Sequence, residues 1–379
     1  MTSGTAWLIH DDRQVALPAG WEPLTGHRSE ESWTWRLINR AGSYVGDLDG
    51  VEGGSLNLNV FADTRGTGSL TWSGWLDEMP NWRDVLVQPV YTATLLDGST
   101  VSWPMGVYLC TSPSTGHSFG GLVTVEVALY DQTLRLRRAK LTNTWGVPAG
   151  TNVVHQIRAL FAEYAPIVRH ALEDSSETLR NSMVWEPGTP ILRVMNDLAD
   201  AAGMFALWAD ADGLVRTSPY VRPQDRPRVW VFTEGVESVH EENVTHDRDD
   251  FDVPNRVTGI SRTDGEDEPA LRFQLTLDEI DPAHPLAFVR TGEWVDRFES
   301  EVEATSMEVL AQRVERWLRE GISVTSTATL THAPLPLALQ ERTAINSGGL
   351  FIPSATVQSI DIPCAPGEDW TTTLRGVAE

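Results

Sequence analysis

Residues 189–217 read TPILRVMNDLADAAGMFALWADADGLVRT, and they spell out one complete small module. Thr189 is placed to cap a helix whose first turn holds Pro190, where a missing N–H costs nothing. Ile191, Met195, Leu198 and Ala202 recur at helical spacing, and Gly203 stands where a helix commonly ends. Residues 204–209 then read as a strand, Asp210-Ala211-Asp212-Gly213 as a tight turn, and 214–217 as its return strand. None of these side chains is arranged for chemistry. The module reads as a structural connector.

On its N-terminal side, residues 151–164 carry Val153, Ile157, Leu160, Phe161 and Tyr164 on one helical face, with Thr151 or Asn152 as cap and Pro166 just beyond. Further upstream, short alternating segments dominate, at 32–38, 55–61, 68–75, 85–95, 107–111 and 121–129. Turn signals such as Asp97-Gly98 and Gly120-Gly121 separate them. That spacing suits an antiparallel barrel or sandwich. The first 30 residues are polar and broken by Pro18, Gly20 and Pro23, as in an extended arm whose Trp7, Leu8 and Ile9 are free to dock on a neighbour.

Downstream, strand signals return at 228–232, 255–262 and 271–277, the first two joined by a strongly acidic loop at 241–252. A third helix is predicted over 305–320. Thr305-Ser306-Met307-Glu308 has capping-box spacing, Leu310, Val314, Trp317 and Leu318 form the buried stripe, and Gly321 ends it. Strands follow at 323–331, 343–345, 355–362 and 370–374. The fold class expected is α+β, mostly β. Its divisions are an arm at 1–30, a first β domain at 31–145, an α/β connector at 146–222, and a second β domain at 223–379 with an inserted segment and the helix 305–320.

With 379 residues the chain exceeds one ordinary core, so roughly two to four domains are expected. No apolar run approaches the roughly 20 residues that span a bilayer. No basic start followed by an apolar block opens the chain, which predicts synthesis and folding in a cytoplasm. Cys110 and Cys364 lie in the first and last thirds, and each reads as a free thiol. The net charge is −24 and Lys140 is the only lysine. That excess argues against a stable grip on nucleic-acid phosphates or on a membrane surface. Fifteen tryptophans outnumber six tyrosines, and Trp72, Trp75 and Trp82 form the one local cluster. Such aromatics are core or interface anchors, or, on a sharper reading, a glycan-contact platform.

The order of these parts resembles the baseplate hub or tail-hub proteins of tailed bacteriophages, and more narrowly a minor tail protein of phages infecting actinobacteria. The residues that carry the likeness are Gly68-Ser69-Leu70-Thr71-Trp72, Gly106-Val107-Tyr108-Leu109, Tyr130-Asp131-Gln132, Ala201-Ala202-Gly203-Met204-Phe205 with Asp212-Gly213-Leu214, and Val253-Pro254-Asn255-Arg256-Val257. The resemblance implies two tube-like antiparallel β-barrel domains bracketing small α/β domains. It implies a homotrimeric hub at the tail tip of the virion, made in the host cytoplasm, whose six barrels mate with a hexameric tail tube. Implied partners are a distal tail protein ring, a tape-measure protein, and tail fibres or other minor tail proteins. DNA would pass through the channel without specific binding, past an acidic lumen that repels phosphate. No cofactor, metal or catalytic residue is implied.

Other readings compete residue by residue. Glu241, Glu242, Asp247, Asp249, Asp250 and Asp252 offer carboxylates for Ca²⁺, but without the glycine and spacing of a calcium loop a solvated connector is expected. Asp210 and Asp212 read as turn residues rather than an acid pair. Ser112 and His117 sit close in sequence without a nucleophile elbow. The glycine-rich stretches 46–54 and 66–74 lack a following Gly-Lys-Ser/Thr and read as hairpin turns. Glu30, Glu31, Glu299 and Glu301 would supply acid and base only in a cell-wall glycosidase. The alternatives to a hub are therefore a carbohydrate-binding tail-tip module using Trp72, Trp75 and Trp82, a distal tail ring protein, and a peptidoglycan hydrolase.

Overall fold

A computed structural model describes residues 7–10, 13–16, 28–95, 98–179, 181–235, 238–247, 252–261, 269–302, 307–322 and 326–376. Within the arm, Trp7–His10 and Arg13–Ala16 pair as a small antiparallel hairpin.

The two β-rich regions are not separate closed barrels. Fourteen strands form one sheet whose main path is open, from His240–Asp247 at one end to Tyr44–Asp47 at the other. The regions join where Leu350–Pro363 lies antiparallel to Val51–Asn59, with Ile360 opposite Leu58 and Ile362 opposite Leu56. Length makes this joint. Leu350–Pro363 has 14 residues, enough to pair in turn with Arg342–Ser347, Trp370–Gly376 and Val51–Asn59. A register shift between Val357 and Ser359 bends it between partners.

Alternation sets the faces. Val123, Val125, Val127 and Leu129 of Leu122–Tyr130 are buried, and the residues between them are not. One core serves both regions, gathering Trp35, Leu56, Trp72 and Tyr91 with Phe232, Ile345, Ile360 and Trp370. Trp370 is wholly buried, its ring 5.9 Å from Tyr91 and 6.4 Å from Trp33.

The connector has its own core around the helices Val153–Tyr164 and Ile191–Ala201. Asn152 caps the first, accepting the His155 N–H at 2.9 Å. Thr189 does not cap the second. Its hydroxyl donates to the Glu186 carbonyl at 2.7 Å, and Pro190 is the boundary residue. The expected strand at 204–209 shortens to Trp208–Ala209, antiparallel to Val215–Thr217, which also runs parallel to His170–Leu172.

A smaller sheet of Arg256–Ser261, Arg272–Thr276 and Asp296–Val302 is covered by the helix Met307–Ile322, with Leu310, Val314 and Leu318 buried against Val257. Gly321 lies inside that helix rather than ending it. Thr305 and Ser306 lie outside the described residues.

Two other expectations change. Most of the acidic loop is strand, because His240–Asp247 pairs with Thr327–His332 and completes the sheet edge. Residues 248–251 lie outside the described set. The glycines at 66–74 belong to a strand, not a turn. A side chain at Gly68 would start 2.3 Å from the Ser55 carbonyl oxygen of the neighbouring strand.

Candidate functional site

Three parts of the chain meet around a cleft of about 760 Å³. The first β region supplies Trp103, Met105 and Tyr108, the connector Phe205 and Trp208, and the second β region Leu337 and Leu339. Proline, aromatic and aliphatic groups dominate this lining.

The quoted module holds the cleft together. Asp210 accepts bonds from the Asp212 and Leu214 amides at 3.0 and 2.8 Å and pairs with Arg216, which fixes the turn. The turn docks on the first β region. Gln88 Nε2 of that region donates to the Ala211 carbonyl at 3.2 Å, and Arg169 of the connector itself to that of Asp212 at 2.7 Å. Gly213 has φ of +73°, and a Cβ there would lie 2.6 Å from Val107 Cβ, so a side chain is excluded twice over. On the opposite wall Arg226 donates to the Val221 and Gln340 carbonyls at 2.9 and 2.6 Å, and its guanidinium lies 5.1 Å from the Phe205 ring centroid. Burial lowers its pKa.

Two carboxyls face this region. Burial raises Asp131, while bonds from Thr133 and the Gly66 amide and the charge of Arg65 oppose that rise. Its oxygens accept the Gly66 and Thr133 amides, each at 2.7 Å, and so tether the strand Gly66–Trp75 to the start of the helix Thr133–Arg138. Glu341 is pushed up to about 7 by burial, against a 2.8 Å bond from the Ala338 amide. Both carboxyls are committed to backbone. The arrangement suits apolar contact rather than bond-making.

The structure separates the three tryptophans predicted as interface or glycan contacts. Trp72 and Trp82 are core residues in edge-to-face contact, with Trp72 Nε1 donating to the Asp49 carbonyl at 2.7 Å. Trp75 is 51% exposed and sits opposite Leu122, beside exposed Leu76, so one apolar tip closes the end of these strands.

Other candidates fall apart similarly. Ser112 and His117 lie on the exposed second half of one strand, Tyr108–His117. Burial raises the Glu31 carboxyl, but bonds from Arg28 and the Gly367 amide outweigh it and hold the group below the usual range. Glu299 accepts Arg297 at 2.9 Å. The Glu301 side chain lies outside the described set. Among the described residues no three His, Cys, Asp or Glu side chains group to hold a metal ion. Cys110 and Cys364 are free, and burial pushes the Cys110 thiol up to about 12. No helix is long and apolar enough to cross a membrane among the described residues.

Sequence reasoning missed the cleft, because its walls come from three distant parts of the chain. The module's residues were legible as a turn, not as part of a cleft wall.

No protein-family profile and no curated protein matches this sequence. Solved structures do. A tail protein from Neisseria meningitidis MC58 superposes with a TM-score of 0.65 at 14% identity, covering 92% of this chain and 97% of its own. The 43 kDa tail protein of prophage MuSo2 from Shewanella oneidensis gives 0.63 at 11% identity, covering 90% and 98%. A structure of the Francisella PdpA–VgrG complex gives 0.59 at 8% identity over 93% of this chain and 59% of that one. The chain therefore has the fold seen in phage tail proteins.

Proposed function

We propose that the chain is a structural, non-enzymatic component of a phage virion: a homotrimeric hub at the tail tip that links the hexameric tail tube to distal parts. The supporting observation is the near end-to-end likeness to two tail proteins, covering 97% and 98% of their lengths. On this reading regions 31–145 and 223–379 act as the two tube-facing units and 146–222 as the brace between them. Three copies bring six such units around an axis, matching a six-fold neighbour by quasi-symmetry. The narrower placement, as a minor tail protein of a siphophage infecting actinobacteria, belongs to the same proposal.

A distal tail ring, a tape-measure protein, and fibres or other minor tail proteins are the partners this role requires, with DNA passing along the axis unbound. The exposed tip of Trp75, Leu76 and Leu122 supports protein contact. A glycan platform loses two of its three rings to the core.

Electron microscopy of the purified protein with isolated tail tubes tests the reading. Threefold particles capping tube ends are expected. Six-fold rings, or no association with tubes, would move the chain to another tail position.

A further inference from the structure

One carboxyl in the three-walled cleft lacks a counter-charge. Glu341 lines the cleft and is half-buried. Its Oε2 accepts the Ala338 amide at 2.8 Å, and among the described residues the carboxyl makes no ion pair. Burial raises its pKa to about 7, and no neighbouring charge acts on it. The other charged groups of the lining have partners of their own. Asp210 is paired with Arg216. Asp131 accepts the Gly66 and Thr133 amides, with the charge of Arg65 beside it. Arg226 donates to the Val221 and Gln340 carbonyls, and Arg342 to the Ser354 hydroxyl and the Gln224 carbonyl.

The apolar lining continues past the rim of the cleft. Between ring centroids, half-buried Phe205 lies 6.2 Å from Trp208 and 5.1 Å from Tyr220. Tyr220 is 53% exposed, and Val221, which also lines the cleft, is 43% exposed. Arg226 lies over both the Phe205 and Tyr220 rings and holds this shelf in place before anything binds, which lowers the cost of ordering it. An aromatic shelf running out of a ligand-sized cleft suits an extended chain, whose side chains lie on the rings, better than a compact small molecule.

We propose that this cleft docks an extended, apolar segment of a different protein carrying one lysine or arginine side chain, whose cation pairs with Glu341. The inference goes beyond the hub reading and holds whether or not the chain is a trimer. Charge favours a basic partner at two scales. The chain's net charge of −24 attracts cationic segments at long range, and it repels a second copy or an anionic membrane. Inside the cleft, a cation meets the carboxylate between apolar walls that weaken solvent screening.

Three libraries of capped heptapeptides test this, each randomised over leucine, proline and phenylalanine at six positions, with arginine, glutamine or glutamate at the centre. The strongest arginine binder and its glutamine counterpart are then titrated into the full-length protein by calorimetry. An ionised Glu341 should favour the arginine peptide by about tenfold at pH 8. At pH 6 the carboxyl is mostly protonated in the free protein, so the preference should shrink to about twofold. Glu341→Gln keeps an oxygen for the Ala338 amide. It should abolish the preference at both pH values and leave the glutamine peptide's affinity unchanged. Val221→Ser, at the exposed rim, should weaken both peptides alike by about threefold. Equal affinities of the wild type for the two peptides at pH 8 overturn the proposal, as does a preference that survives Glu341→Gln. Enrichment of the glutamate library assigns the cleft to anions at Arg226 and overturns it too. Absence of binding from all three libraries at millimolar peptide also overturns it. Each of these failures leaves the hub reading standing, since that reading is decided by particles on tube ends.

Discussion

His332 is wholly buried and held neutral by that burial. Its Nδ1 lies 2.7 Å from the Ala333 carbonyl, so it carries the proton, and its Nε2 lies 2.8 Å from the Thr372 hydroxyl, which it accepts. Burial lowers its pKa to about 4 against the opposing bond to the Ala333 carbonyl, with His240 and Arg28 adding to the fall. An unfolded histidine titrates near 6.5, so between about 6.5 and 4 the unfolded chain binds more protons than the folded one. Stability is therefore full above pH 6.5 and declines as pH falls toward 4, by about 3 kcal/mol for this group. Glu341 has the opposite slope. Its folded pKa of about 7 lies above the ordinary value, so it favours folding at low pH and loses that contribution as pH rises through 7. Two melting series check this. His332→Gln should flatten the acid limb of Tm against pH, and Glu341→Gln should raise Tm at pH 8 while leaving it nearly unchanged at pH 4.5. Residue parity was also readable in advance for the tryptophans. Trp72 and Trp75 are three apart on one strand and must point to opposite faces, as they do.

The connector's turn is the element on which the cleft depends. Substituting Gly213 forces a side chain into a left-handed backbone and against Val107, so Gly213→Val should destabilise by about 1–3 kcal/mol. The measurable outcome is a lowered Tm with faster proteolysis of the 204–221 segment, while Gly203→Ala, which meets no neighbour within 4 Å, should show a smaller loss. Helices were the most legible elements, because their period is local: 151–164, 190–202 and 305–320 emerge as Val153–Tyr164, Ile191–Ala201 and Met307–Ile322. Strand His240–Asp247 was read as a loop because its exposed carboxylates mask its inward positions, buried His240 and half-buried Val244, and its pairing is with a partner some 80 residues away.

At the scale of the molecule, sheet continuity sets cooperativity. Ile360 is wholly buried at the joint and packs in the core common to both β regions. Ile360→Ala should cost about 2–5 kcal/mol and lower one shared calorimetric transition. Two separable β transitions, with only one shifted, would mean that the regions unfold independently. That joint was beyond local sequence reading. Alternation marks a strand and its buried face, but Leu58 and Ile360 become neighbours only through tertiary pairing 302 positions apart. The cleft is hidden for the same reason.

The shared strand also dictates when the sheet becomes whole during synthesis. Val51–Asn59 leaves the ribosome long before Leu350–Pro363, the segment for which one of its two edges waits. Throughout that interval the edge is an open template for wrong partners, a hazard of long-range strand pairing. Completion of the sheet is thus tied to the emergence of residues 350–363, and a product truncated before them carries an unmet ladder.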